Sequence, residues 1–160
     1  MILKRGYGMG IALDLLKNAA LWSAFASWGA AQLLKGVLHG FLHGFSSKAF
    51  FTSGGMPSGH AATFTGLAMA VGLMNGFGSA SFALALFLDI VVIYDASGVR
   101  YVTGLQSAAL NRLRSREIAE GKEKPLPEKK GHTPKELVAG IFVGGVIGFL
   151  ISHFIFGYSG

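Results

Sequence analysis

Gly54-Gly55-Met56-Pro57-Ser58-Gly59-His60 stands at the head of an apolar run, and its reading decides how the chain folds. Ser58 has N-cap chemistry and the apolar residues follow at once, so a helix is predicted to start here. A helix N-terminus presents unpaired N–H groups and a positive dipole end, which suits a phosphate. Gly54, Gly55 and Gly59 permit the close backbone approach that such a cradle needs. His60 falls in the first turn, beside whatever the cradle holds. The plainer alternative is a glycine-rich turn at a membrane interface that happens to carry a histidine.

Composition points to a membrane. Of 160 residues 51% are hydrophobic and 14% charged, and the mean hydropathy is +0.50, too apolar for an ordinary soluble domain. The 24 glycines fall within the apolar runs, as close helix packing in lipid requires. With no cysteine, disulfides and thiolate metal sites are excluded. A net charge of +6 suits an anionic lipid surface. Nucleic acid is not expected as a partner, because the basic residues have no large soluble face to occupy.

Outward from the motif, the chain reads as one domain over 1–160: an all-α, polytopic membrane bundle. Four spans are expected, at 19–40, 60–75, 80–103 and 134–156. Residues 1–18 read as an interfacial lead-in rather than a signal peptide, because Asp14 and Lys17 interrupt the apolar stretch. The first span reaches full length only if Lys35 and His39 snorkel or face an aqueous site. Ala62, Gly66 and Ala70 recur every four residues as a packing seam. Residues 105–131 are expected to form a basic amphipathic interfacial helix and a hydrophilic loop. In the last span Gly140, Gly144 and Gly148 are spaced by four, which offers a face for a homo-oligomer.

Two further clusters carry chemistry. In Gly131-His132-Thr133-Pro134-Lys135-Glu136, Thr133 is the expected N-cap and Glu136 the third residue of the helix. Glu136 also lies four residues from His132, close enough to fix the tautomer of its imidazole. Either Glu136 only completes the cap, or it orients a reactive histidine. In Asp95-Ala96-Ser97-Gly98-Val99-Arg100, Arg100 has a fork that matches two phosphate oxygens, or else it snorkels to headgroups. Asp89 and Asp95 are acids near or within a span, and so functional candidates by default. Asp89 could pair with Lys35, or share a cation with Asp95. Lys48 is a further supporting cation in the loop before the motif.

Together Pro57-Ser58-Gly59-His60, Asp95-Ala96-Ser97-Gly98-Val99-Arg100, Gln106 with Leu110-Asn111, and Gly131-His132-Thr133-Pro134 resemble the divergent small-membrane-protein branch of the type 2 phosphatidic acid phosphatase and vanadium haloperoxidase superfamily. The resemblance covers about residues 30 to 150. It implies a helical bundle and metal-independent phosphate ester hydrolysis through a phosphohistidine, with no cofactor. His132 then resembles the nucleophile, Glu136 its orienting carboxylate, and His60 the general acid. Ser58, Gly59, Arg100 and Lys35 would hold the phosphate. The superfamily's Ser-Arg pair before the second histidine is replaced by Pro125 and Leu126, and its Lys-x6-Arg-Pro element is absent, so Arg100 and Lys35 stand in for those cations.

The expected activity is that of a lipid phosphatase acting on a headgroup phosphate monoester, phosphatidylglycerophosphate or a phosphatidic-acid-like lipid. A polyprenyl diphosphate phosphatase and a non-enzymatic lipid-binding protein are the alternatives. The segment 104–132 holds Arg112, Arg114, Arg116, Lys122, Lys124, Lys129 and Lys130. By the positive-inside rule it faces the cytoplasm of a bacterial inner membrane, and with four spans the 39–57 loop lies on the same side. Single cysteines at Ser46 and Ser115 should therefore both resist impermeant label applied outside intact cells. Labelling of either overturns the orientation, and labelling of only one overturns the four-span topology.

Overall fold

The computed structural model describes residues 3–44, 55–128 and 131–158. Among them the elements are α1 (Leu3–Leu16), α2 (Ala19–His43), α3 (Gly59–Asn75), α4 (Ala80–Ser97), α5 (Val99–Leu113), α6 (Ser115–Ala119) and α7 (Pro134–Leu150). A π turn at Ile151–Ile155 continues α7. No strand occurs among the described residues, so the expected all-α class holds.

Local chemistry sets the helix starts. The Asn18 side chain accepts from Leu21 N–H, Ser79 from Phe82 N–H, Ser58 from Ala61 N–H, and Thr133 from Glu136 N–H. Each cap of this kind contributes about 1 kcal/mol and fixes where its helix begins.

α3 is the hub, packed against α2, α4 and α7. Its tightest partner is α7, and backbone meets backbone along that seam. A Cβ at Gly140 would lie 2.5 Å from the Ser58 carbonyl oxygen, and one at Gly148 would lie 2.6 Å from that of Gly66. At Gly144 it would overlap the Ala62 carbonyl. Both series of numbers rise together, so α3 and α7 run parallel. Ser27 Oγ donates to Gly144 O at 3.4 Å and Ser23 Oγ to Gly148 O at 3.4 Å, while Ser23 also meets Ser152 at 3.1 Å. That series falls as the other rises, so α2 runs against α7. Thr65 on α3 meets Asp89 on α4, and Ala61 packs with Ala96, which makes α3 and α4 antiparallel. The end of α2, the start of α3, the end of α4 and the start of α7 thus share one end of the bundle.

The burial pattern is inverted relative to a soluble domain. The largest fully buried side chains are serines, whereas Phe41, Leu84 and Phe142 are more than 70% exposed. Small residues pack inside and large apolar ones face outward, as in a helical membrane protein. Two helical stretches have the length and hydropathy to cross a bilayer, Ala80–Leu113 and Pro134–Ile155. Four were expected. α3 has only 17 residues, about 25 Å, against a hydrocarbon core of about 30 Å. α2 is long enough, but Gln32, Lys35, His39 and His43 make its second half polar.

The third apolar run divides at Gly98 into α4 and α5, within the one stretch Ala80–Leu113 that contains the expected 80–103 span. Two expectations are corrected. The amphipathic helix consequently starts at Val99 instead of 105 and breaks at Arg114. Gly140, Gly144 and Gly148 are filled by α3 of the same chain, so that face is spent within the monomer and is not a surface for a homo-oligomer.

The seam makes a paired prediction. Gly144→Ala places a methyl on the α3 backbone, which cannot swing aside, and should destabilise by about 1–3 kcal/mol. Gly145→Ala meets only the Met69 methyl, at 3.9 Å, and should leave thermal unfolding in detergent unchanged. Equal Tm values for the two variants would refute the backbone contact.

Candidate active site

The site is assembled at the shared end of the bundle. The α3–α7 seam closes there through the backbone, where Ser58 N–H donates to Glu136 O at 2.9 Å. That bond places the first turns of α3 and α7 side by side. Ala61, Ala96 and Leu137, with Ile93 against them, form an apolar floor beneath.

His132 is 8% exposed and is held from both sides. Its backbone N–H donates to Ala96 O at 3.0 Å, and its Nδ1 lies 3.0 Å from Glu136 Oε2. A carboxylate only accepts, so Nδ1 carries the proton and Nε2 keeps the lone pair. The same Glu136 oxygen also accepts from Thr133 N–H at 3.1 Å, completing the capping box. One oxygen atom of Glu136 therefore both completes the cap and holds the His132 ring. His60 is half-buried in the first turn of α3, its ring centroid 6.2 Å from that of His132.

Lys35 on α2 is 6% exposed. Its aliphatic stem runs past Gly55, where a Cβ would sit 3.8 Å from Lys35 Cγ and Cδ. Its ammonium lies within electrostatic reach of Glu136. Gly55 has φ +89°, a left-handed conformation that favours glycine. Sequence positions 35, 55, 58, 60, 132 and 136 thus converge, from three helices and the glycine-rich loop.

Other candidates fall elsewhere. Ser58 is fully buried, its hydroxyl caps α3 and its N–H is taken by Glu136. It builds the site's frame, so a phosphate cradle would draw instead on Gly59 at the first helical position. Asp89 is buried in the bundle and accepts from Thr65 Oγ1 at 2.9 Å, while Asp95 is exposed. The two acids do not share a surface, so the paired-carboxylate cation site is not formed, and Thr65 is the hydrogen-bond partner of Asp89. Arg100 lies in the first turn of α5, with the backbone of its neighbour Tyr101 against Gly131. Its side chain, like Lys48 and Gly54, lies outside the described residues.

Sequence reasoning assigned no role to Asn111. It is 9% exposed, and its carboxamide pairs with the backbone of Leu126. The Leu110-Asn111 pair stood out only as part of the resemblance.

A pair of histidines with one ring oriented by a carboxylate can transfer a phosphoryl group: one nitrogen attacks, and the other supplies a proton. The divergent PAP2 family model matches residues 16–147. The chain is also 32% identical to YuiD of Bacillus subtilis (strain 168), an uncharacterized membrane protein, over 88% of this chain and 95% of that one. No solved structure matches. The matched region contains both histidines, Glu136 and the whole α3–α7 contact as far as Gly144, and the chain is a member of the divergent PAP2 family.

Proposed function

We propose that the protein is a membrane lipid phosphatase that hydrolyses a headgroup phosphate monoester through a phosphohistidine. The observation that carries this reading is the His132–Glu136 hydrogen bond, with the His60 ring 6.2 Å from that of His132. Such spacing accommodates a phosphoryl group whose phosphorus approaches one ring while its ester oxygen faces the other.

In the first step the Nε2 lone pair of His132 attacks phosphorus. The bond from phosphorus to the lipid oxygen breaks, and protonated His60 gives its proton to that oxygen. Glu136 stabilises the positive charge that grows on the His132 ring. Lys35 and Arg100 offset the charge on the phosphoryl oxygens. In the second step water attacks phosphorus, His60 takes a proton from it, and the nitrogen–phosphorus bond breaks to release inorganic phosphate. The site lies at one end of an apolar bundle, which favours an amphiphilic substrate such as phosphatidylglycerophosphate or a phosphatidic-acid-like lipid. We place that end at the cytoplasmic face, with α2, α3, α4 and α7 as the four spans.

Phosphate release from a panel of lipid phosphates by the purified protein tests the reading. His132→Ala should abolish release and leave no trappable phosphoenzyme. His60→Ala should slow turnover of lipid phosphates by roughly 10²–10⁴-fold, the scale of general acid catalysis, and slow p-nitrophenyl phosphate far less. Near wild-type release by His132→Ala would eliminate the phosphohistidine. No release from any lipid by the wild type would leave a binding protein.

The phosphate anchor is a separate prediction. Arg100→Lys should lower kcat more than it raises KM, because a point charge loses the two-pronged contact. Excess EDTA should leave the rate intact. Loss in EDTA, restored by magnesium, would transfer the anchoring role from Arg100 to a metal ion.

A further inference from the structure

The loop that delivers His132 is tied down twice, and only one tie belongs to the site. At the far tie Leu126 N–H donates to Asn111 Oδ1 at 2.8 Å. Asn111 Nδ2 donates to Leu126 O at 2.9 Å and to Glu128 Oε1 at 2.8 Å. An N–H can only donate, which fixes the orientation of the Asn111 amide. The carboxamide therefore pairs with Leu126 as one peptide unit pairs with another.

The sequence prepares that pairing. Leu126 lies between Pro125 and Pro127, so it supplies the one N–H in the tripeptide. The proline after it favours an extended backbone, which lowers the entropy lost on tying it down. At the near tie His132 N–H donates to Ala96 O, and Gly131 sits where a Cβ would be 2.7 Å from that oxygen and 3.0 Å from Tyr101 N.

Both ties hold to α4 and α5, which follow one another with only Gly98 between them. Leu126 and His132 are six peptide steps apart, so the tether between the two ties reaches at most about 22 Å. Releasing Leu126 would join this tether to the long loop that precedes it, and His132 would gain the slack of both.

We infer that Asn111 is a positioning residue for His132, holding Leu126 at the far end of α5 so that the short tether keeps the imidazole against Ala96 and Glu136. The effect on turnover rests on the phosphatase reading; the effect on His132 does not.

The test uses the full-length protein in lipid nanodiscs. Asn111→Asp replaces the donor with an oxygen that faces Leu126 O and Glu128. Leu126→Pro removes the N–H from the loop side and leaves α5 untouched. The readout is the rate at which diethyl pyrocarbonate modifies His132, followed by mass spectrometry, with His153 at the opposite end of the bundle as the internal reference. In each variant the His132 rate should rise roughly tenfold, the population change expected from losing a buried hydrogen bond, while His153 is unchanged. The double variant should go no further than either single one, because both break the same tie. Phosphate release should fall in kcat with KM nearly constant.

A His132 rate within about twofold of wild type in both variants overturns the inference, since local opening must raise access. If Asn111→Asp fails to fold, Leu126→Pro decides alone. If His132 responds but the wild type releases no phosphate, the positioning role stands and the phosphatase reading falls.

Discussion

The bundle depends on backbone packed against backbone between α3 and α7. In lipid the hydrophobic effect does not draw helices together, so close approach and weak polar contacts must do so. Gly140, Gly144 and Gly148 let α7 rest on the carbonyl groups of Ser58, Ala62 and Gly66. The Ser23 and Ser27 hydroxyls then reach the Gly148 and Gly144 carbonyls from α2. Any side chain on the seam would separate the two helices, and with them the first turns that carry His60 and Glu136.

The site shows how little extra apparatus such a frame needs. Glu136 completes a helix cap, and the same oxygen orients His132. Its carbonyl accepts from Ser58 N–H, which joins the two helix starts. Structural and chemical roles therefore cannot be separated at this residue. Removing its carboxylate would loosen the start of α7 as well as the imidazole. Ser58 sits at the same junction, and its hydroxyl is spent on capping α3.

Much of this was legible in the sequence because the signals are local. Thr133-Pro134-Lys135-Glu136 specifies a capped helix start, Ser58 another, and the four-residue spacing of glycines marks a packing face. The partner of that face was not legible, because a glycine stripe fits a neighbour in the same chain or in another equally well. The turn at Gly98 was hidden because apolar residues continue on both sides of it. Asn111 carried no pattern, since its partners are the backbone of Leu126 and a distant glutamate. The pairing of the acids in 112–124 was not legible either: Arg114 pairs with Glu123, and Glu120 with both Lys122 and Arg116, while the stretch keeps its excess of basic residues.

The parallel pairing of α3 and α7 also fixes the order in which the molecule can be completed. Parallel neighbours cannot be joined by a tight turn. The chain must travel back along the bundle before the second helix can take its place. α3 therefore leaves the ribosome well before the helix it fits, at a synthesis rate of roughly 5–20 residues per second. During that interval the grooves over Ala62 and Gly66 lack their partner, and His60 has no His132 beside it. The two histidines cannot meet before the last helix is inserted, so an unfinished chain lacks the pair that its two helix starts make together.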